Sequence, residues 1–146
     1  MSPIAVSSYA FAVVVLFAKA VATALVQGRY RLEHGKFRWP EDARHWGGEA
    51  VHAEADIVQR AQRVLLNDAE TQPLFLALGA AYVALDAWPP GAPIYFGVYA
   101  LSRVAHTIFL LRPRQPLRNR AFAVGMVVVL AIAIHVCFAG ATLLAA

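Results

Sequence analysis

Four apolar stretches organise the chain. Ile4 to Val26 is broken by one charge, Lys19; Thr71 to Leu85 is apolar after a polar approach; Ile94 to Leu111 contains Arg103 and His106; Ala121 to Ala146 has no formal charge. At ~1.5 Å per helical residue, the first and last stretches cross a hydrocarbon layer of ~30 Å. The second is too short unless its helix begins near Ala61, with polar first turns at the membrane mouth. The pattern predicts an all-α integral membrane protein with four transmembrane helices in a single domain. The spans are expected at about 4–27, 61–85, 94–111 and 119–145, with a loop at about 28–60. A cleaved signal peptide is the competing reading of the first stretch, but Met1 to Ala10 lacks a basic leader and the apolar run is long for one.

The connections differ in kind. Trp88-Pro89-Pro90-Gly91 cannot continue a helix, so spans two and three form an antiparallel hairpin. In the long loop, Trp39-Pro40-Glu41-Asp42 predicts a helix start and Gly47-Gly48 a break. That loop could act as a lid.

With 60% hydrophobic and 15% charged residues, the chain is far from the roughly 25% charged of an average soluble domain. Charge placement sets an expected orientation. Of thirteen Lys and Arg, seven follow the first span (Arg29, Arg31, Lys36, Arg38, Arg44, Arg60, Arg63) and four follow the third (Arg112, Arg114, Arg118, Arg120). The positive-inside rule then puts both basic loops in the cytoplasm and both termini outside. The net charge of +4 reads as topology and not as a nucleic-acid surface. The lone Cys137 excludes an internal disulfide and reads as packing. His34, His45 and His52 are spaced unlike metal ligands, so no metal site is expected.

Candidate chemistry lies where polar groups enter the spans, because a bilayer tolerates them only if they pair, line a cavity or bind something. Arg63, Asn67 and Glu70 fall at i, i+4 and i+7, on one stripe of a helix. Arg103 and His106 share a face of the next, and Glu70 is the expected counter-ion of Arg103, with Asp68 pointing elsewhere. Pro73 should kink the helix beside Glu70. Lys19 either snorkels to a headgroup or faces the bundle. His135 reads as an interhelical hydrogen-bonding residue. A purely structural ion pair is the bland alternative for Glu70 and Arg103.

The strings RVLLNDAET (Arg63 to Thr71), RVAHT (Arg103 to Thr107) and PEDARHWGG (Pro40 to Gly48) together resemble the MAPEG family of membrane proteins in eicosanoid and glutathione metabolism. The likeness runs from about Lys19 to about Val136. It implies a homotrimer of four-helix subunits holding glutathione in a polar cleft between neighbours near the cytoplasmic face. It further implies that Arg31, Arg63, Asn67, Glu70, His106 and Arg118 contact glutathione. Arg118 resembles the arginine near the sulfur, and Asp42 an acidic residue that acts with it. Guanidinium forks for two carboxylates and Glu70 for an ammonium would complement that tripeptide.

Several positions depart from the family pattern. Leu66 stands where relatives have arginine, Leu110 where some have tyrosine, and Asn119 and Phe122 where some have serine and tyrosine. A serine mechanism is therefore absent, and Asn119 becomes the candidate donor to sulfur. The resemblance implies a membrane glutathione transferase or peroxidase acting on lipophilic electrophiles or lipid hydroperoxides that arrive through membrane lipid. A prostaglandin-E-synthase-like isomerase and a non-catalytic lipid-binding accessory protein are the alternatives. A small transporter finds no support in repeats or gating elements.

Overall fold

The computed structural model describes residues 1–145. Helix α1 spans Pro3–His34. Pro3 opens it at the position where a missing N–H costs nothing, and Gly35 closes it at φ 60°, its N–H returning to the Arg31 carbonyl. Helix α2 is Pro40–Trp46, α3 Asp56–Ala84, α4 Ala92–Leu111 and α5 Gln115–Leu144. A 3-10 turn at Pro89–Gly91 joins α3 to α4, as the paired prolines predict. The helices outrun the expected spans: α1 continues past residue 27 to His34, α3 starts at Asp56 and not near Ala61, and α5 starts at Gln115, ahead of 119. Helix propensity continues beyond the apolar stretch, so membrane length and helix length differ.

Between α1 and α3 the loop is more ordered than its sequence suggests. Two short parallel strands, β1 (Lys36–Phe37) and β2 (Glu49–Ala50), bracket α2. Helix α2 ends at Gly47, φ 71°, as the Gly-Gly break anticipates. The strands escaped the sequence reading because two residues are too few for any alternation to register.

Each long helix buries one stripe. On α1 it comprises Ala5, Ala12, Leu16, Lys19, Thr23 and Gln27; on α3 it includes Val64, Asp68, Thr71, Phe75, Gly79 and Tyr82. Helix α4 packs mainly against α1 and α5, and α3 against α1. Helix α5 buries only Gly125, Val128 and Ile132 within the chain. Phe11, Phe17, Leu101, Val127, Leu130 and Phe138 are exposed, giving α1, α4 and α5 apolar outer faces suited to lipid. Helices α1, α4 (with its leading 3-10 turn) and α5 are long and apolar enough to cross a membrane. Helix α3 has the length, at 29 residues, and an apolar second half.

An aromatic core fixes how the helices cross. The Phe75 and Tyr99 rings stack with centroids 3.8 Å apart, and Phe96 meets Phe75 edge-on at 5.9 Å. Tyr9 packs on Phe96 at 5.4 Å and donates to the Leu76 carbonyl at 2.9 Å. Gly79 lets the Tyr9 ring approach α3, since a Cβ there would lie 2.7 Å from the ring carbon Cε2. Gly79→Ala is therefore expected to lower stability by about 1–3 kcal/mol through overpacking. Thermal unfolding of the detergent-solubilised protein checks this, and an unchanged midpoint would contradict it.

His135 makes the expected interhelical contact, its Nε2 lying 3.1 Å from the Tyr95 hydroxyl. Cys137 corrects its reading: it is exposed on the outer face of α5 and is not packed inside the chain. Helix α3 runs on through Pro73, with the Thr71 hydroxyl donating to the Asn67 carbonyl at 2.7 Å.

Candidate functional site

Two polar stripes run side by side on α3. The inner one carries Asp68 into the bundle, 6% exposed. Lys19 of α1 donates to Asp68 Oδ2 and, at 3.3 Å, to the Thr107 hydroxyl. Arg103 of α4, fully buried, donates from Nη2 to Asp68 Oδ1 at 3.0 Å and to Asn67 Oδ1 at 2.5 Å. Thr107 donates to the Arg103 carbonyl at 3.0 Å. One carboxylate thus serves two cations drawn from two other helices.

This overturns one expectation. The counter-ion of Arg103 is Asp68 and not Glu70, which is exposed. Helical geometry gives the reason: Asp68 follows Val64 by four and precedes Thr71 and Phe75 by three and seven, all on the buried stripe. The same spacing on α1 commits Lys19 to the bundle, 7% exposed, so the snorkelling alternative fails.

The outer stripe is Arg63, Asn67 and Glu70. Arg63 and Glu70 are exposed and form no ion pair among the described residues, while Asn67 is half-buried. His106 is 5% exposed, with its ring 5.8 Å from that of Phe122 on α5. The Arg103 guanidinium carbon lies 5.8 Å from the same Phe122 ring, a cation–π distance. Arg103 Nε and Nη1 and His106 Nδ1 are buried without a hydrogen-bond partner. The two guanidinium N–H groups are costly to leave unmet, which marks this corner as a place for an acceptor.

Arg118 stands one turn before Phe122 on α5, half-buried, in a small cleft of about 60 Å³ with Arg60, Leu110 and Arg114. Asn119 beside it is exposed. Arg31 donates from Nε to Glu54 Oε1 at 2.6 Å. Glu54, itself buried, also accepts from Gln62 Nε2 at 2.6 Å, and its carbonyl accepts from Gln59 at 2.6 Å. This knot ties the loop to the last turn of α1 and the first turns of α3. Beside it opens a cleft of about 350 Å³ lined by Arg38, His52, Gln62, Arg63 and Leu66. Leu66 is 65% exposed in this cleft. Asp42 is exposed in the first turn of α2.

The single chain therefore joins Asn67 to Arg103, with His106 behind Phe122, and sets Arg63 in the cleft beside the Arg31–Glu54 pair. Arg118 opens on a separate cleft that Asn119 does not line, and Asp42 lies out on the loop. Asp68, Glu54 and Thr107 are the polar members that the sequence reading missed. For Asp68 the signal was present in the spacing, whereas Glu54 lies in a loop where no periodicity speaks.

A polar seam set midway along the helices of a bundle with an apolar exterior defines the class as a membrane-embedded binding or catalytic protein. The chain belongs to the MAPEG family, whose profile matches residues 9–138. It is 35% identical to the prostaglandin E synthase of Equus caballus over 127 residues, covering 86% of this chain and 83% of that protein. The human prostaglandin E synthase is 32% identical over 143 residues, covering 97% and 93%. Human microsomal glutathione S-transferase 1 is 34% identical over 134 residues, covering 88% and 84%.

Proposed function

We propose that this protein is a glutathione-dependent membrane enzyme that ionises the thiol of glutathione and presents it to lipophilic electrophiles or lipid hydroperoxides. One observation carries the reading: Arg63, Asn67 and Glu70 leave the bundle on one stripe, and its two charges form no ion pair among the described residues. Seven residues of helix separate a cation from an anion by roughly 10 Å, a spacing suited to a zwitterionic tripeptide. A peptide carboxylate pairs with Arg63 and the γ-glutamyl ammonium with Glu70, with Asn67 between them. His106 and Arg31 border the seam, and Arg118 acts on the sulfur, with Asp42 and Asn119 as supporting groups. The relatives' names, a glutathione transferase and prostaglandin E synthases, support the same cosubstrate.

Because Arg118 and the α3 stripe open separately in one chain, the complete site is assigned to a boundary between copies in a homotrimer. The basic loops face the cytoplasm, where glutathione is kept reduced. Both termini lie on the other side, and the lipophilic substrate enters from the bilayer. The prostaglandin E synthase relatives favour an isomerase as the second reading. Titrating the purified oligomer with glutathione and assaying conjugation to a chlorinated aromatic tests the proposal. Saturable binding with turnover is expected. Binding without turnover toward electrophile, hydroperoxide or prostaglandin endoperoxide would leave the accessory reading, and no binding would remove the proposal.

A further inference from the structure

We infer that the buried Asp68–Arg103 pair is a positioning device for Asn67, fixing its side-chain amide so that it offers the ligand a hydrogen-bond donor and never an acceptor. This rests on the glutathione reading above and adds to it Asp68 and Arg103 as residues that act on the ligand through Asn67.

The argument starts from the chemistry of the groups. Arginine has five N–H donors and no acceptor, so the atom of Asn67 that faces Arg103 Nη2 at 2.5 Å must be the carbonyl oxygen Oδ1. Nitrogen in that place would set donor against donor. Arg103 cannot turn away to release the amide, because the same Nη2 is held at 3.0 Å by Asp68 Oδ1 and the whole residue is 0% exposed. Asp68 is held in turn by Lys19 from a third helix. A chain of charge-assisted contacts through α1, α3 and α4 therefore fixes the rotamer of one half-buried amide at the edge of the bundle. Its NH2 group is left for what lies beyond, between the cation of Arg63 and the anion of Glu70. A donor there matches a peptide carbonyl or carboxylate oxygen, so the device selects which polar atom of the tripeptide can lie at mid-stripe.

Two variants separate positioning from mere structure, both read by calorimetric titration of the purified oligomer with glutathione. Asn67→Asp keeps an oxygen for Arg103, replaces the outward NH2 with an acceptor and adds one negative charge beside Arg103. It is expected to melt no lower than the wild type, since its carboxylate joins two cations that share a single anion, and to bind glutathione at least about tenfold more weakly, the scale of a lost hydrogen bond to a charged group. Arg103→Lys keeps a cation for Asp68 but loses the planar fork that reaches Asn67 as well. It should weaken glutathione binding about tenfold and, in a turnover assay, raise KM by a similar factor with a smaller effect on kcat at saturation. Combined with Asn67→Ala, it should add nothing to the loss that Asn67→Ala causes alone, because the two act through one amide.

Wild-type affinity in Asn67→Asp, or fully additive losses in the Arg103→Lys/Asn67→Ala pair, overturns the inference. Should Arg103→Lys not fold, Asn67→Asp still decides. A wild-type protein that takes up no glutathione removes the proposed function and this role together. A wild type that binds beside an Asn67→Asp that binds equally removes this role alone.

Discussion

Replacing Asp68 with asparagine is expected to be the most damaging single substitution in the bundle. It leaves the size of the side chain unchanged and strands Lys19 and Arg103, two cations 7% and 0% exposed, without their shared carboxylate. Breaking a buried pair in this way costs about 3–5 kcal/mol, because the surviving charge is left in a poor solvent. In a protein of this size that corresponds to a fall of roughly 10 °C in thermal midpoint. Lys19→Met should behave in the opposite sense. It leaves Asp68 and Arg103 balanced one to one, and its apolar chain fills the space of the lysine stem, so stability should stay within about 1 kcal/mol of wild type or rise. Adding Lys19→Met to Asp68→Asn should recover part of the loss. The three midpoints, measured in one detergent, test whether charge count rather than hydrogen-bond count governs this core. An Asp68→Asn protein as stable as wild type would refute it.

Removing Arg118 should leave glutathione bound and its sulfur inactive. A free thiol ionises near pH 8.5, and lowering that by about 2 units takes about 3 kcal/mol of preferential stabilisation of the anion. One guanidinium in a half-buried cleft is suited to provide most of it. In Arg118→Ala the thiol reverts toward its ordinary value, so at pH 7 the reactive fraction and the turnover should fall by about 25-fold. The sign with pH follows directly. Wild type holds the thiolate at neutral pH and gains little on alkalinisation, whereas the variant's rate climbs as pH passes through about 8.5 and its deficit narrows above that. A turnover deficit that stays constant across pH 6.5–9.5 would show that Arg118 acts by something other than ionisation. Tight glutathione binding by the variant places the stripe on α3, and not Arg118, in charge of affinity.

Much of this architecture was written in residue spacing. The four long helices, the Pro-Pro-Gly turn, the start of α2 and its end at Gly47 all follow from length, proline and glycine. So does the grouping of Arg63, Asn67 and Glu70, because a helix fixes which side chains share a stripe. What spacing left undecided was which stripe faces inward. Glu70 and Asp68 are two residues apart on one helix, and choosing between them as partner of Arg103 needs the neighbouring apolar positions to be read as a continuous face through Val64, Asp68, Thr71 and Phe75. The Glu54 knot was beyond reach for a different reason. Its partners Arg31, Gln59 and Gln62 come together only when the loop has folded back, and no local pattern encodes that return. Arg118 is legible by resemblance alone, since nothing in the chain's own contacts distinguishes it from Arg114 in the same small cleft.

Helix α5, which carries Arg118, buries only three residues against its own chain. Such a helix owes its tilt and depth to the surrounding acyl chains as much as to protein neighbours. On the function proposed above, the arginine assigned to the sulfur is thereby mounted on the least buried of the three apolar helices, and the stripe assigned to glutathione on a helix with a well-buried inner face. On that reading, changing bilayer thickness, or replacing the bilayer by a micelle, should alter the rate before it alters cosubstrate retention.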